Sequence, residues 1–254
     1  MAKVFCVANQ KGGVGKTTTT VNLAAGLTQV GQRVLMVDLD PQGNATMGSG
    51  VDKRKLEMTV YDVLLEAASI VDARVRSEKC GYDVLGANRE LSGAEIELVS
   101  LERREKRLKQ ALAKVDKDYD FILIDCPPSL SMLTLNGLCA ALGVIVPMQC
   151  EYFALEGVTD LVNTIKQVHA NLNKDLQIIG LLRVMFDPRI TLQQQVSEQL
   201  KDHFGDKVFN TVIPRNVRLA EAPSYGLPGV IFDPSSKGAQ AFVAFAREMV
   251  GRIL

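Results

Sequence analysis

Short apolar runs of strand length alternate along this chain with segments of helical periodicity. The runs are largely continuous and lack the polar residue at every second position that a half-exposed strand shows: Val4–Ala8, Val34–Val37, Phe121–Ile124, Val144–Val146 and Ile178–Val184. Continuous apolar runs are typical of strands buried on both faces of a parallel sheet. The pattern predicts an α/β fold, a single doubly wound, mostly parallel sheet with helices on both faces.

Helices are predicted between these runs. Thr17–Val30 carries one apolar stripe, and a second stripe lies on Val158, Leu161, Val162, Ile165 and Val168. The charged segment Glu102–Lys117 predicts a helix with a solvated face. Residues 41–60 and 66–82 have the weakest pattern and predict loops and short helices. Residues 241–254 are apolar on a broad face, which predicts a helix docked on the chain's own core.

Composition narrows the class of protein. The chain has 254 residues and a formal net charge of zero, so we expect one domain over residues 1–254 and, if DNA is bound, only a local basic surface. The five cysteines are scattered and form no C-x-x-C pair, which is typical of reduced thiols. Two histidines argue against a histidine metal site. No signal peptide or membrane-length apolar segment is recognised, and we expect a cytoplasmic protein.

The stretch Gln10–Thr18 lies between the first apolar run and the first predicted helix, which is the context of a phosphate-binding loop. Four backbone N–H groups can turn towards an anion here, those of Gly12, Gly13, Val14 and Gly15. The positive end of the helix favours an anion at the same place. Lys16 is placed to reach the β- and γ-phosphates, Thr17 to join a Mg²⁺ shell, and Thr18 to donate to an α-phosphate. The alternative is a flexible glycine loop with solvated lysines.

Two further apolar runs lead into acidic residues at their carboxyl ends, where open α/β sheets bind ligands. Asp125 directly follows Phe121–Ile124, fits the Walker B position, and can hold Mg²⁺ opposite the Thr17 hydroxyl. Asp38 and Asp40 follow another run; Asp40 can orient the attacking water and Asp38 can support the Mg²⁺ shell. The alternative for these two is a turn or a helix cap.

The phosphate loop departs from the usual G-x-x-x-x-G-K-[ST] pattern. Gln10 stands where the first glycine would be, and a second lysine, Lys11, opens the loop. With this deviant Walker A sequence the chain resembles the ParA/MinD ATPases, which have a P-loop NTPase fold, over nearly its whole length. Asp38–Asn44 and Asp125–Pro128 are similar to the two switch regions of that family. The resemblance implies that Lys11 reaches across a dimer interface to the other subunit's phosphates, and that Asp40 matters for hydrolysis.

A later segment, Thr211–Pro223, is similar to one that borders the adenine in the small chromosomal ParA, or Soj-like, subgroup. The resemblance makes Pro214 and Asn216 adenine contacts, and an asparagine amide suits the adenine edge; the alternative is a structural loop. Arg189 and Arg218 match arginines that the subgroup uses for nonspecific DNA binding, and their alternative is plain surface arginine. DNA binding is therefore implied by the resemblance and not by charge.

The resemblance implies a slow, partner-stimulated ATP hydrolase that serves chromosome or plasmid partitioning, with ATP and Mg²⁺ as ligands. Its ATP-bound homodimer would bind double-stranded DNA nonspecifically on the nucleoid. A ParB/Spo0J-type centromere-binding protein would then trigger hydrolysis and release. Only two residues precede Lys3, so we expect no operator-specific DNA-binding extension.

Other functions use the same loop. A MinD-like ATPase would act at the membrane surface through a basic amphipathic helix at its C-terminus, whereas residues 241–254 favour docking on the core, and no membrane partner is expected. A metal-cluster carrier would need paired cysteines, which the sequence does not contain. A kinase or metabolic synthetase of the same superfamily stays open, although no second, substrate-sized domain is evident.

Overall fold

The structure is a computed structural model and describes residues 1–253. Eight strands form one sheet: β1 Lys3–Val7, β2 Val34–Asp38, β3 Val75–Ser77, β4 Tyr82–Leu85, β5 Phe121–Asp125, β6 Gly143–Met148, β7 Gln177–Phe186 and β8 Val208–Pro214. Their order across the sheet is β3-β4-β2-β5-β1-β6-β7-β8, and every neighbouring pair is parallel except β3 and β4. The predicted mostly parallel sheet is confirmed.

Helices cover both faces of this sheet. Their bounds are α1 Lys16–Gln29, α2 Asn44–Gly48, α3 Val60–Leu64, α4 Ile70–Ala73, α5 Leu91–Glu97, α6 Arg107–Leu112, α7 Met132–Ala140, α8 Ala154–Asn171, α9 Thr191–Phe204, α10 Val217–Glu221, α11 Gly229–Phe232 and α12 Lys237–Ile253. Short 3₁₀ turns lie at Leu98–Ser100, Arg104–Lys106, Gly205–Lys207 and Ala222–Tyr225. The two faces build separate cores, one under α1 and α12 and the other under α7 and α8.

The central strand β1 shows why its sequence is apolar without alternation. Phe5 and Val7 pack into the core under α1 and α12, whereas Cys6 packs into the core under α7 and α8. All three side chains are fully buried. Since neither face of the strand meets water at these three positions, they favour apolar residues, whereas Lys3 at the start of the strand is partly exposed.

The predictions for two segments were wrong in part. Residues 66–82 contain the edge strand β3, whose short and partly polar sequence carries no strand signal because one side of it is solvated. The single helix predicted over Glu102–Lys117 is much shorter. Arg103 has a left-handed backbone, with φ of 52°, which interrupts the helix before α6 begins. In α6, Leu108 and Leu112 are buried.

The C-terminal helix α12 packs on the core, as predicted. Phe242, Phe245 and Met249 are buried against α1 and the sheet. Gly26 of α1 allows the close approach, because a Cβ there would lie 3.1 Å from the Phe242 carbonyl oxygen. Among residues 1–253, no helix combines the length and the apolar character that a membrane crossing needs.

The topology also places a crevice. From β1 the chain proceeds to β2 on one side of the sheet, and β6, β7 and β8 extend the other side. In open α/β sheets such a reversal leaves a gap beyond the carboxyl ends of the central strands. The carboxyl ends of β1, β2 and β5 therefore meet where the loop Gln10–Thr18 begins.

Candidate functional site

The glycine-rich loop between β1 and α1 forms an open cradle. Gly13 and Gly15 have left-handed backbones, with φ of 73° and 76°, which only glycine adopts readily. A Cβ added at Gly12 or Gly13 would meet no heavy atom within 4 Å, so the space in front of these residues is open. Gly15 precedes α1 and no side chain caps the helix. The first N–H groups of α1 are thus left to an anion.

Lys16 is turned into this cradle. Its side chain is almost buried, with 8% exposed, and Nζ donates to the Lys11 carbonyl oxygen at 2.9 Å. Burial lowers the pKa of Lys16, and the charges of Asp125 and Asp40 act against that effect. The ammonium group therefore lies within the loop, where it can reach an anion held by the loop amides.

Asp125, at the end of β5, accepts hydrogen bonds from two hydroxyls of α1. Thr17 Oγ1 donates to one carboxylate oxygen at 2.8 Å and Thr20 Oγ1 to the other at 2.9 Å. Sequence reasoning missed Thr20. Its signal was available, since a residue three positions after Thr17 lies on the same face of a helix. The structure thus brings Thr17 and Asp125 into direct contact, the two residues expected on opposite sides of a Mg²⁺ ion.

Asp38 lies directly opposite Asp125 in the register of β2 and β5. Both carboxylates are buried, and burial raises the pKa of each against the hydrogen bonds that they accept. Repulsion from Asp40 adds to the effect at Asp38, and repulsion from Asp38 adds to it at Asp125. Asp38 accepts from the Thr46 amide and hydroxyl at 2.8 and 2.7 Å, and from the Asp40 amide at 3.0 Å. Two buried carboxylates beside the Thr17 hydroxyl are hard oxygen donors, which fit a Mg²⁺ ion.

Asp40 begins the loop after β2. Its carboxylate accepts from the Gln42 amide at 2.9 Å, which is a turn of the kind that its sequence also permitted. Asp40 is half-buried, and its charge raises the pKa of Asp125 and opposes the lowering of the pKa of Lys16. The turn and a role at the site are compatible, because the hydrogen bond uses only one of the two carboxylate oxygens.

A mostly apolar cavity of about 180 Å³ adjoins the cradle. Its walls include Gly15 and Thr18 at the loop and Pro214 and Asn216 after β8. The Asn216 side-chain oxygen caps α10 by accepting from the Arg218 amide at 2.9 Å, which leaves its NH₂ group for a ligand. Sequence reasoning missed Met185, which lines this cavity with a left-handed backbone, φ of 51°. The size and lining suit a flat heterocycle next to a phosphate site.

Comparisons with known proteins decide the family. Residues 2–178 match the family model described as an AAA domain. Sporulation initiation inhibitor protein Soj of Bacillus subtilis (strain 168) is 52% identical over 249 residues, which cover 98% of this chain and 98% of that protein. The chain belongs to the ParA/MinD family of ATPases. Within the family it is close to Soj and ParA: chromosome partitioning protein ParA of Caulobacter vibrioides is 49% identical over 252 residues, covering 98% of this chain and 94% of that protein.

A solved structure extends the comparison to three dimensions. The Mycobacterium smegmatis protein named cobyrinic acid a,c-diamide synthase, which holds ADP and magnesium, matches with a TM-score of 0.86 at 44% identity and covers 98% of this chain and 94% of that chain. The P-loop NTPase fold that the resemblance implied is thereby confirmed. Its doubly wound sheet carries the loop at the crevice, as in other ParA/MinD proteins.

The lysine that marks the ParA/MinD loop points away from the cradle. Lys11 Nζ forms an ion pair with Glu151, and the two side chains are 58% and 47% exposed. The Lys11 backbone is held separately, because its amide donates to Asn9 Oδ1 at 2.9 Å and Asn9 Nδ2 donates to the Pro147 carbonyl oxygen at 2.9 Å. Sequence reasoning gave no role to Asn9 and did not pair Glu151 with Lys11, since these contacts depend on how β1 and β6 lie side by side.

Arg189 and Arg218 lie outside the nucleotide crevice, and both are paired. Arg189 donates to both carboxylate oxygens of Asp187, at 2.9 and 2.7 Å. Arg218 contacts Glu221 at 2.9 Å and Asp233 at 3.3 Å. Their side chains are 87% and 55% exposed. Each guanidinium is thus accessible but already has an acidic neighbour.

Proposed function

We propose that this chain is a ParA-type partitioning ATPase, a single domain that binds ATP with Mg²⁺, closes as a homodimer on it, and hydrolyses it slowly. The different directions of the two loop lysines carry the proposal. Lys16 is buried in the cradle of its own chain, whereas Lys11 is exposed and directed out of it. A lysine that faces away from its own phosphate site is available to the site of a second copy.

Each residue of the crevice then has a role. The loop amides from Lys11 to Thr18, with Lys16, hold the phosphates and stabilise charge on them. Thr17 and Asp125 hold Mg²⁺, and Asp38 fixes the loop beside them. Bound Mg²⁺ supplies charge neutralisation at the β- and γ-phosphates. Asp40 orients the attacking water, Lys11 of the second copy stabilises the transferred γ-phosphoryl group, and Pro214 and Asn216 hold the adenine.

Lys11 must leave Glu151 before it can reach a partner. The pair is exposed, and exposed ion pairs contribute only ~0–1 kcal/mol. Resting Lys11 is therefore held weakly, and triphosphate oxygens, which carry more negative charge than one carboxylate, compete well for it.

Size-exclusion chromatography with and without ATP tests the dimer. The wild type is expected to elute as an ATP-dependent dimer, and Asp40→Ala to keep the dimer longer because turnover is blocked. Lys16→Ala should lose the effect of ATP, and Lys11→Ala should still bind ATP but stay a monomer without turnover. A Lys11→Ala protein that dimerises and hydrolyses ATP like the wild type would overturn the proposal.

The ATP dimer is further proposed to bind double-stranded DNA without sequence specificity through Arg189 and Arg218, on the nucleoid in the cytoplasm. A ParB/Spo0J-type protein would stimulate hydrolysis and release. The similarity to chromosome partitioning protein ParA supports the partitioning role to which both steps belong. A few phosphate contacts give weak, salt-sensitive binding, which suits repeated release. Footprinting that revealed one protected operator at physiological salt would contradict nonspecific binding.

The synthase named for the Mycobacterium smegmatis structure would couple ATP to a second substrate. Hydrolysis by the purified chain with DNA and no added acceptor is expected for a partitioning ATPase. Turnover that appears only with an acceptor molecule would favour a synthetase instead.

A further inference from the structure

Three arginines lie near one another where β7 ends and where β8 leads into α10. Arg189 and Arg218 are the two already assigned to DNA binding, and Arg215 lies between β8 and Arg218. Arg215 is exposed, and its backbone amide donates to the Phe186 carbonyl oxygen at 3.3 Å, which fixes it beside the end of β7. The inference below rests on the proposed binding of DNA.

The surroundings of Arg215 differ from those of the other two arginines. Arg189 uses two nitrogens on Asp187, and Arg218 is held between Glu221 and Asp233. Within residues 1–253, the Arg215 guanidinium has no carboxylate within 4.0 Å. Its charge is therefore not compensated by a direct ion pair, and the residue is exposed.

Electrostatics place Arg215 close to the same surface. Hydrogen bonds from Arg189 lower the pKa of Asp187 to about 2, and the charge of Arg215 contributes to this effect. Arg215 therefore lies near the Arg189–Asp187 pair without bonding to it. One acid near two arginines leaves a net positive charge at this point of an otherwise neutral chain.

We propose that Arg215 is a phosphate contact for duplex DNA, and that it engages before Arg189 and Arg218. An unpaired guanidinium meets a phosphate without giving up an existing ion pair, whereas Arg189 and Arg218 must first release their carboxylates. The Arg189 guanidinium bonds to both carboxylate oxygens of Asp187, and such a pair is stronger than most exposed ion pairs. Breaking this pair costs free energy, which opposes the binding of Arg189 to DNA. Arg215 thus supplies the initial attraction.

The same residue also lines the cavity beside Pro214 and Asn216. A contact with the nucleotide is therefore the competing role of Arg215, and the experiment separates it from a contact with DNA. Nucleotide affinity and DNA affinity are measured on the same variants.

The test is fluorescence anisotropy of a labelled DNA duplex of arbitrary sequence, with saturating ATP and Mg²⁺, over a range of salt concentrations. Arg215→Ala is expected to bind DNA ~5–20-fold more weakly and to reduce the slope of log K against log salt by about 1–2, one contact for each subunit of the dimer. Arg89→Ala is the matched control, because Arg89 is exposed and follows β4 near the opposite edge of the sheet. The control should stay within about twofold of the wild type.

The outcomes separate the inference from the function on which it rests. If the wild type binds DNA and Arg215→Ala binds it equally well, the proposed role of Arg215 is overturned, and the DNA step of the proposed function still stands. The role of Arg215 is also overturned if Arg89→Ala loses DNA binding to the same extent. The same holds if the loss in Arg215→Ala is matched by a loss of ATP affinity. If the wild type itself fails to bind any duplex with ATP, the DNA step of the proposed function fails together with this inference.

Discussion

Asp38 and Asp125 are the same residue type at opposed positions of neighbouring strands, yet their surroundings differ. Asp38 accepts two backbone N–H groups and the Thr46 hydroxyl. Asp125 accepts only the hydroxyls of Thr17 and Thr20. A hydroxyl can rotate to donate or accept, whereas an amide N–H can only donate. Asp38 therefore stabilises the loop, and Asp125 is the one whose oxygens can exchange partners when a ligand binds.

Replacing each of the two aspartates by asparagine should distinguish their roles. Asp38→Asn is expected to lower the free energy of unfolding by about 1–3 kcal/mol, because an amide NH₂ group would face the N–H donors. Asp125→Asn should change it by less than about 1 kcal/mol, yet remove the Mg²⁺-dependent part of the stabilisation by ADP. Urea unfolding without ligand and thermal melting with ADP, with and without Mg²⁺, measure both. Equal destabilisation of the two variants would contradict these assignments.

At the scale of elements, α12 is joined to the start of β8 by one carboxylate. Glu248 accepts from the amides of Asn210 and Thr211, both at 2.8 Å, and pairs with Arg252. Burial alone would raise the pKa of Glu248, but these hydrogen bonds outweigh it and the pKa is lowered. A lowered carboxyl pKa means that ionised Glu248 stabilises the fold above the ordinary value of about 4.3, and that this contribution disappears as the pH falls through the lowered pKa.

Glu248→Gln should therefore destabilise the protein in a pH-dependent way. We expect a loss of about 1–2 kcal/mol at pH 7, since one acceptor and the charge are removed. The difference from the wild type should persist down to about pH 4 and shrink only below it, as the pH falls through the lowered pKa, so that pH 7 is compared with about pH 3. Urea unfolding at both pH values measures it, with Glu198→Gln on the exposed face of α9 as control. A difference that grows in acid would show that the sign is wrong.

At the scale of the whole molecule, the apolar face of α12 is part of the core. Phe242, Phe245 and Met249 are nearly inaccessible to solvent. A lipid-binding role for this helix would require it to leave α1 and β8, which would expose the side chains that it contributes to the core under α1 and α12. The packing supports a helix that stabilises the ATPase and argues against the membrane-surface alternative.

Vesicle sedimentation tests this directly. With ATP and Mg²⁺ the wild type is expected to stay in the supernatant above anionic lipid vesicles while binding duplex DNA. Phe245→Ala should lower the free energy of unfolding by about 3–5 kcal/mol through the cavity it leaves, without changing sedimentation. Protein that sediments with the vesicles and does not bind duplex DNA would favour a MinD-like function.

Local chemistry explains which parts of the site could be predicted from the sequence. The loop Gln10–Thr18 needs glycine where φ is positive and a lysine and threonine at the start of a helix, and all of these requirements lie within nine consecutive residues. Asp125 could be placed because it ends a continuous apolar strand. The pairing of Glu151 with Lys11 carried no such signal, because the two residues are 140 positions apart. Thr46 is only eight positions from Asp38, but their contact depends on how the loop after β2 folds back.

The sequence by itself determined the strands of the sheet interior, the phosphate loop and the family, because burial on two faces and left-handed turns restrict residue types locally. Only the tertiary structure decided which carboxylate holds a loop, which lysine faces outward, and which arginines are already paired. Lys11 meets Glu151 across 140 positions of the chain, whereas Asp187 and Glu221 are near neighbours of their arginines in sequence. In both cases the folded backbone decides which side chains come into contact. Distances of a few ångströms determine whether a charge is compensated or available, and sequence spacing does not encode them.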